Sequence, residues 1–244
     1  MKKMILFMGR THNHAPVSFQ RYLPDEVHIV TSDIFRKDYV RRLNSWSKQF
    51  NFKKGLIKDV NDLFESTSVD SLFKSIFEIM NDNNSNEKKD VSDEWYIGIT
   101  GGTMHMAATA SLAGSLINAR IFYVIKPNSN ETIIPNKHVI EFPSLHVISR
   151  VAGIHQRDLL YLKDLEKGTK EEWEKNCDIP QWMLPELINV GIININAKGW
   201  ELTGLGKKSI DLVLNSAVSQ HLTGLLIDKN KENLKVKNGP DLWA

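Results

Sequence analysis

Trp95-Tyr-Ile-Gly-Ile-Thr-Gly-Gly-Thr103-Met-His-Met106 is an apolar run that breaks on two glycines and continues into the alanine-rich segment 107–116. Branched and aromatic side chains make residues 95–99 read as a buried strand. Thr100, Gly101, Gly102 and Thr103 then turn the chain into a helix, on which Met104, Ala108, Leu112 and Leu116, spaced by four, share one face. A strand, a Gly-Gly turn and a helix start put unsatisfied backbone N–H groups and the positive end of a helix dipole at the carboxyl edge of a sheet. In an open α/β sheet that edge receives anionic, usually phosphate-bearing ligands.

The rest of the chain agrees with such a sheet. At 244 residues it can hold one large domain or two small ones, and 41% hydrophobic with 25% charged residues is ordinary globular composition. No apolar run approaches the length of a membrane span. Met-Lys-Lys precedes only residues 4–8, too short for a signal-peptide core and well suited to a first strand. The single cysteine, Cys177, leaves no disulfide framework and no cysteine-based zinc site. A cytoplasmic protein without membrane contact is expected. The net charge of +2 does not by itself indicate nucleic acid.

Residues 1–150 alternate strand and helix signals. Strands are expected at 4–8, 27–31, 56–60, 95–99 and 121–125, with 138–142 as an edge strand. A short helix at 14–23 tolerates Pro16 in its first turn. Ser32 or Asp33 caps the next helix, whose buried stripe is Phe35, Tyr39, Leu43, Trp46 and Phe50. Leu72, Phe73, Ile76, Phe77 and Met80 mark another amphipathic helix, and the polar segment 81–90 reads as a surface loop. The β-α-β-α rhythm implies a parallel, Rossmann-like sheet with helices on both faces. Beyond Pro143 come short helices at 159–165, 170–176 and 182–189, a hairpin of 191–195 and 200–202, and a closing helix at 206–218. That order is a winged helix-turn-helix pattern. The expected division is a ligand-binding α/β domain at 1–145, a winged-helix domain at 146–225 and a tail at 226–244.

With Gly9-Arg-Thr-His-Asn-His14 after the first strand, Ile99-Thr-Gly-Gly-Thr103 after the fourth, and Phe142-Pro-Ser-Leu-His146 leading into a winged helix, the chain resembles the CARF family, over most of residues 1–218. These CRISPR-associated Rossmann-fold proteins bind cyclic oligoadenylates in type III immunity. The resemblance implies a homodimer whose two Rossmann domains form one symmetric pocket, since a twofold ligand is met equivalently by both copies of each loop. The family often carries Lys directly after Gly-Gly-Thr. Here that position is Met104.

Gly9, Arg10, Thr11, Asn13, Thr100, Gly101, Gly102, Thr103 and Met104 are therefore the candidate ligand-binding residues. Taken alone, Gly101, Gly102 and Thr103 could make only a tight turn with a helix cap; the topology that aims the turn at the sheet crevice favours a ligand. Arg10, Thr11, His12, Asn13 and His14 follow the first strand and all donate hydrogen bonds, against a plainer role as a solvated turn with local caps. Arg10 and Thr11 suit phosphate, and His12, His14 or His105 are candidates for acid–base work near neutral pH, with Thr11 beside them. His12 and His14 lack the further ligands a metal site requires, so neither metal nor cofactor is expected. Arg150-Val-Ala-Gly-Ile-His155 fits the short Arg-x₄-His pattern of HEPN ribonucleases, but winged-helix signals surround it and it is read as coincidence.

Two functions stay open. One is a metal-independent ring nuclease that cleaves the cyclic oligoadenylate, most readily cyclic tetra-adenylate. The other is a transcription regulator gated by the same ligand. Residues 151–244 hold 12 Lys and Arg against 13 Asp and Glu, a net of −1, and the helix at 181–189 has no cation. DNA would require a basic surface there, and only Lys198, Lys207 and Lys208 offer one. A protein-facing module is the third alternative.

Overall fold

Buried along nearly its whole length, the run at 4–8 becomes part of β1 (Lys2–Met8), a central strand of a six-stranded sheet. The computed structural model describes residues 1–61, 63–84, 93–127, 132–180, 182–196, 199–215 and 218. Two compact units emerge, Met1–Ser144 and Leu145–Ala244.

In the first unit β1 is followed by α1 (His14–Tyr22), β2 (Glu26–Ser32), α2 (Asp33–Phe50), β3 (Lys53–Val60), α3 (Ser68–Asn84), β4 (Glu94–Gly98), α4 (Met104–Leu116), β5 (Arg120–Val124), α5 (Pro135–His138) and β6 (Val139–Phe142). The strand order is β3-β2-β1-β4-β5-β6, parallel except for β6, which runs antiparallel to β5 at the edge. This is the expected Rossmann-like architecture. The polar segment at 81–90 begins as helix, because α3 runs on to Asn84; residues 85–90 lie outside the described residues.

Alternation along β1 splits the core in two. Met4, Leu6 and Met8 face Phe19 and Tyr22 of α1 and Tyr39, Leu43 and Trp46 of α2. Ile5 and Phe7 face Leu72, Ile76 and Ile79 of α3 and Met106, Ala110 and Ala113 of α4. On α4 the buried side is therefore the small-residue side, down to Gly114, where a Cβ would stand 2.7 Å from Ile121 Cγ1. The face carrying Met104, Ala108, Leu112 and Leu116 points outward, with exposures of 90, 55 and 73% for Met104, Leu112 and Leu116. The four residues do share one face, and it is the solvent-facing one.

A polar group is also built into this core. His28, fully buried in β2, accepts the Leu56 N–H at Nδ1 (2.9 Å) where the β2–β3 register shifts. Gly55 makes room, since a Cβ there would lie 2.3 Å from that nitrogen. Burial, then the charges of Lys3 and Lys53, lower His28 from the ordinary 6.5 to about 3.

The second unit contains α6 (Leu145–Ala152), α7 (Gln156–Leu165), β7 (Lys167–Gly168), α8 (Lys170–Asn176), α9 (Met183–Asn189), β8 (Ile193–Asn196), β9 (Gly199–Leu202) and α10 (Gly204–Leu214). The three strands form an antiparallel sheet in the order β7-β9-β8. Helix α6 and strand β7 had no sequence signal long enough to register. A core of Val151, Leu159, Leu162, Trp173, Leu187, Ile192, Trp200 and Ile210 holds this unit together. Arg150 pairs with Glu186 (2.9 Å) and His155 Nδ1 accepts the Arg157 N–H (3.2 Å), so both ends of the Arg-x₄-His pattern have structural partners. Ala217, Lys198 and the tail at 226–244 lie outside the described residues. No helix among the described residues is long and apolar enough to cross a membrane.

Candidate functional site

Strands β1, β2 and β3 step away to one side of β1, and β4, β5 and β6 to the other, so the order reverses between β1 and β4. A crevice opens at such a switch point beyond the carboxyl ends of the two strands. The loops that leave β1 and β4 carry Gly9–Asn13 and Thr100–Thr103, and the helices they feed, α1 and α4, both begin there. Two sets of first-turn N–H groups thus converge on one place.

The two loops touch. A Cβ on Gly9 would come within 2.9 Å of Gly102 Cα, and one on Gly101 within 2.2 Å of the Phe7 carbonyl oxygen. Gly101 is buried and Gly102 exposed. Gly102 holds φ at +80°, a conformation that side-chain-bearing residues adopt only with strain, and a Cβ there would also meet Met106 Sδ at 2.6 Å. The sulfur is already in use, accepting the Thr103 N–H at 3.4 Å. Gly101 therefore serves the fold, and Gly102 presents bare backbone to the crevice.

Around this backbone the remaining side chains divide by partner. Thr100 Oγ1 accepts the Val124 N–H (2.7 Å) and ties the turn to β5. Thr103 Oγ1 lies 3.1 Å from His105 Nδ1, which links the hydroxyl to an imidazole at the start of α4. Arg10, Thr11 and Asn13 are exposed, and Asn13, though it precedes α1, makes no side-chain cap bond. Met104 projects almost wholly into solvent where the resembled family often has a cation.

The histidines of the first loop behave differently. His14 packs under Gly101, with Nε2 3.1 Å from where a Cβ on that glycine would be; this nitrogen is buried without a hydrogen-bond partner among the described residues. Burial, then the nearby His12, lowers its pKa to about 4. His14 is thus neutral at pH 7. His12 is the more open of the two, its pKa lowered by partial burial and then by Arg42.

His14 and His28 also make the fold pH-dependent. Each has a folded pKa below its unfolded value, so its contribution is complete above pH 6.5 and is lost as pH falls toward about 4 and about 3. Between pH 7.5 and pH 5 each histidine is expected to remove about 2 kcal/mol of stability, at roughly 1.4 kcal/mol per pH unit. Urea midpoints that stay constant over this interval would contradict it.

One contributor escaped the sequence reading. Tyr39 was visible only as core, but its hydroxyl donates to the Gly9 and Thr11 carbonyls and so fixes the path of the first loop. Burial raises this phenol to about 12, which keeps it a donor. The signal available was a tyrosine rather than a phenylalanine in an apolar stripe. No group of three or more His, Cys, Asp or Glu able to hold a metal ion occurs among the described residues.

In the second unit, Lys207 is engaged with Glu166 (2.5 Å), so one of the lysines counted toward DNA is neutralised. Helix α9 buries Met183 and Leu187 and exposes Ile188, with Trp182 exposed just ahead of it.

No protein-family model and no curated protein sequence matches the chain. Among solved structures it is similar to Enterococcus italicus Csm6 bound to cyclic hexa-2′-fluoro-hexa-dAMP, with 16% identity and a TM-score of 0.46, covering 67% of this chain and 46% of that one. It is also similar to Can2 from Sulfobacillus thermosulfidooxidans in complex with cyclic tetra-adenylate, at 12% identity and TM-score 0.40, covering 95 and 68% of the two chains. A third is a type III CRISPR defence DNA nuclease activated by cyclic oligoadenylate, at 12% identity and TM-score 0.37, covering 78 and 33%. The chain spans less than half the length of the Csm6 chain.

Proposed function

We propose that this chain is a CARF-type receptor that binds a cyclic oligoadenylate, and most readily cyclic tetra-adenylate, across a homodimer and cleaves it without metal. The observation that carries this reading is the contact between the Gly9 and Gly102 backbones at the switch point, where α1 and α4 both present their N-termini. Bare backbone and two helix starts suit phosphodiester groups.

Cleavage of such a ring uses the ligand's own nucleophile. A ribose 2′-oxygen attacks the adjacent phosphorus in line, the 5′-oxygen leaves, and a linear product ending in a 2′,3′-cyclic phosphate results. The protein's part is alignment and charge stabilisation. Gly102 and Thr103 would receive the phosphate oxygens, Thr11 and Arg10 would hold the neighbouring phosphate, and His12 would take the 2′-hydroxyl proton. His105, hydrogen-bonded to Thr103, would return a proton to the leaving oxygen.

Incubation with stoichiometric protein in excess EDTA is expected to give linear 2′,3′-cyclic-phosphate products by chromatography. Thr11→Ala and His12→Ala are expected to lower turnover about 100-fold, far more than they weaken binding, as for groups that act in the transition state. Intact ligand after prolonged incubation would overturn cleavage and leave the receptor. The exposed Met104 favours that second reading, a ligand-gated regulator, because it supplies no charge where the reaction would gain from one. In that case the second unit, a winged helix on our reading, relays the signal, and a DNA-shift assay with and without ligand distinguishes a DNA from a protein target.

A further inference from the structure

In a trans peptide the carbonyl and the N–H of one unit point in opposite directions, and no peptide bond among the described residues is cis. Fixing a carbonyl therefore fixes the direction of the next residue's amide. In the loop after β1 one side chain fixes two carbonyls. The Tyr39 hydroxyl donates to the Gly9 carbonyl and, at 3.4 Å, to the Thr11 carbonyl, sharing its single proton between them. Both carbonyls thus turn toward α2, and the Arg10 and His12 N–H groups turn away from it.

Helix α2 packs over β2 and β3, on the side of β1 opposite β4. Away from α2 is therefore toward β4, where the crevice opens and where Gly9 meets Gly102. Neither of the two N–H groups donates a hydrogen bond among the described residues. The tyrosine that aims them is firmly packed: Tyr39 is 2% exposed, and its ring centroid lies 6.5 Å from that of Trp46. Two bare amides held in one orientation are donors suited to an anionic oxygen, and they reorganise little when it arrives.

We propose that the Arg10 and His12 main-chain amides seat a phosphodiester group in the crevice, and that Tyr39 is the positioning residue that aims them. The proposal rests on the phosphate-binding reading above and deepens it, giving the first loop a main-chain role beside that of its side chains. Tyr39 touches no ligand and acts only through the two carbonyls. The amides carry dipoles and no net charge, so their share of the affinity releases no counterions, unlike that of a guanidinium.

The test compares Tyr39→Phe with Tyr22→Phe as control, because the Tyr22 hydroxyl is also a part-buried donor but serves Glu141, at 3.1 Å. Without ligand, NMR relaxation is expected to give the Arg10 and His12 amides order parameters of about 0.85 in the parent and below about 0.6 in Tyr39→Phe. Binding of cyclic tetra-adenylate is expected to weaken about tenfold in Tyr39→Phe and to keep its parental value in Tyr22→Phe. The slope of log K against log salt is expected to stay constant, since no cation is removed from a phosphate. A folded Tyr39→Phe with parental affinity or parental amide order overturns the proposal. So does a shallower salt slope, which assigns the loss to the Arg10 side chain, and so does equal weakening by Tyr22→Phe, which assigns it to general stability.

If the parent does not bind cyclic tetra-adenylate at all, the reading of the ligand fails first, and inorganic pyrophosphate becomes the probe. A saturable shift of the Arg10 and His12 amide resonances in the parent that is lost in Tyr39→Phe supports an anion seat aimed by Tyr39. Equal responses in the two proteins, or none in the parent, overturn it. Should Tyr39→Phe not fold, the parent decides alone: both amide resonances shift to saturation with cyclic tetra-adenylate or, failing that ligand, with pyrophosphate, or the proposal is wrong.

Discussion

Replacing Gly102 by Val is expected to raise the dissociation constant for cyclic tetra-adenylate at least 100-fold, about 2.7 kcal/mol, while leaving a folded protein. Two effects act together. A β-branched residue held near φ +80° is strained by roughly 1–2 kcal/mol, and its Cβ stands 2.6 Å from Met106 Sδ. The thioether is flexible and can swing aside, at the loss of its contact with the Thr103 N–H. The fold therefore gives way only a little, by an expected few degrees in Tm. The valine branches, by contrast, occupy the exposed side where a phosphate would meet the backbone, and that loss has no remedy. Gly101→Val provides the contrast. Its Cβ would lie 2.2 Å from the Phe7 carbonyl oxygen, a backbone atom that cannot swing, so the expected result there is an unfolded first unit. If Gly102→Val binds as tightly as the parent, measured by calorimetry, the turn is structural only and the ligand lies elsewhere.

The positions of both glycines were legible in the sequence because a strand, a Gly-Gly pair and a helix signal follow one another without interruption. The difference between the two was not. Burial of Gly101 against β1 and exposure of Gly102 depend on the neighbouring strand, which no local pattern encodes. Helix α4 gives the same lesson. Met104, Ala108, Leu112 and Leu116 repeat every four residues, and such a repeat ordinarily marks the core. Here the other side of the helix, with Ala110, Ala113 and Gly114, lies close on the sheet, because small residues let a helix approach β5. A helix apolar all round hides its orientation. His14 looked like a neutral-pH residue because its burial comes from Gly101, far along the chain.

That outward face of α4 leads to the second large effect. From Trp95 to Ala119 the chain has no charged residue, so two copies of this face can meet about a twofold axis without like-charge repulsion. Tyr123 and Phe142 lie on the same side of the sheet, on β5 and β6, and are 38 and 43% exposed. The helix starts at the Gly102 turn, so pairing through it would bring two copies of the crevice together, and one Gly-Gly turn with one loop cannot by itself enclose a ring of four nucleotides. Leu112→Glu with Leu116→Glu is therefore expected to convert a dimer of the 27.9 kDa chain into a monomer by light scattering. The dissociation constant should rise at least 10,000-fold, since each leucine buried in a contact contributes roughly 1.5–3 kcal/mol and the twofold axis brings four of them together, about 6 kcal/mol or more in all. Both side chains are mostly in water within one chain, so the Tm of the monomer should move little. Ligand binding should fall with the dimer. Phe64→Glu is the control: Phe64 is 87% exposed but lies away from α4 in sequence, between β3 and α3, and its loss should leave the dimer intact. A double variant that stays dimeric places the pairing surface elsewhere, and a parent that is monomeric even with ligand removes the shared pocket altogether.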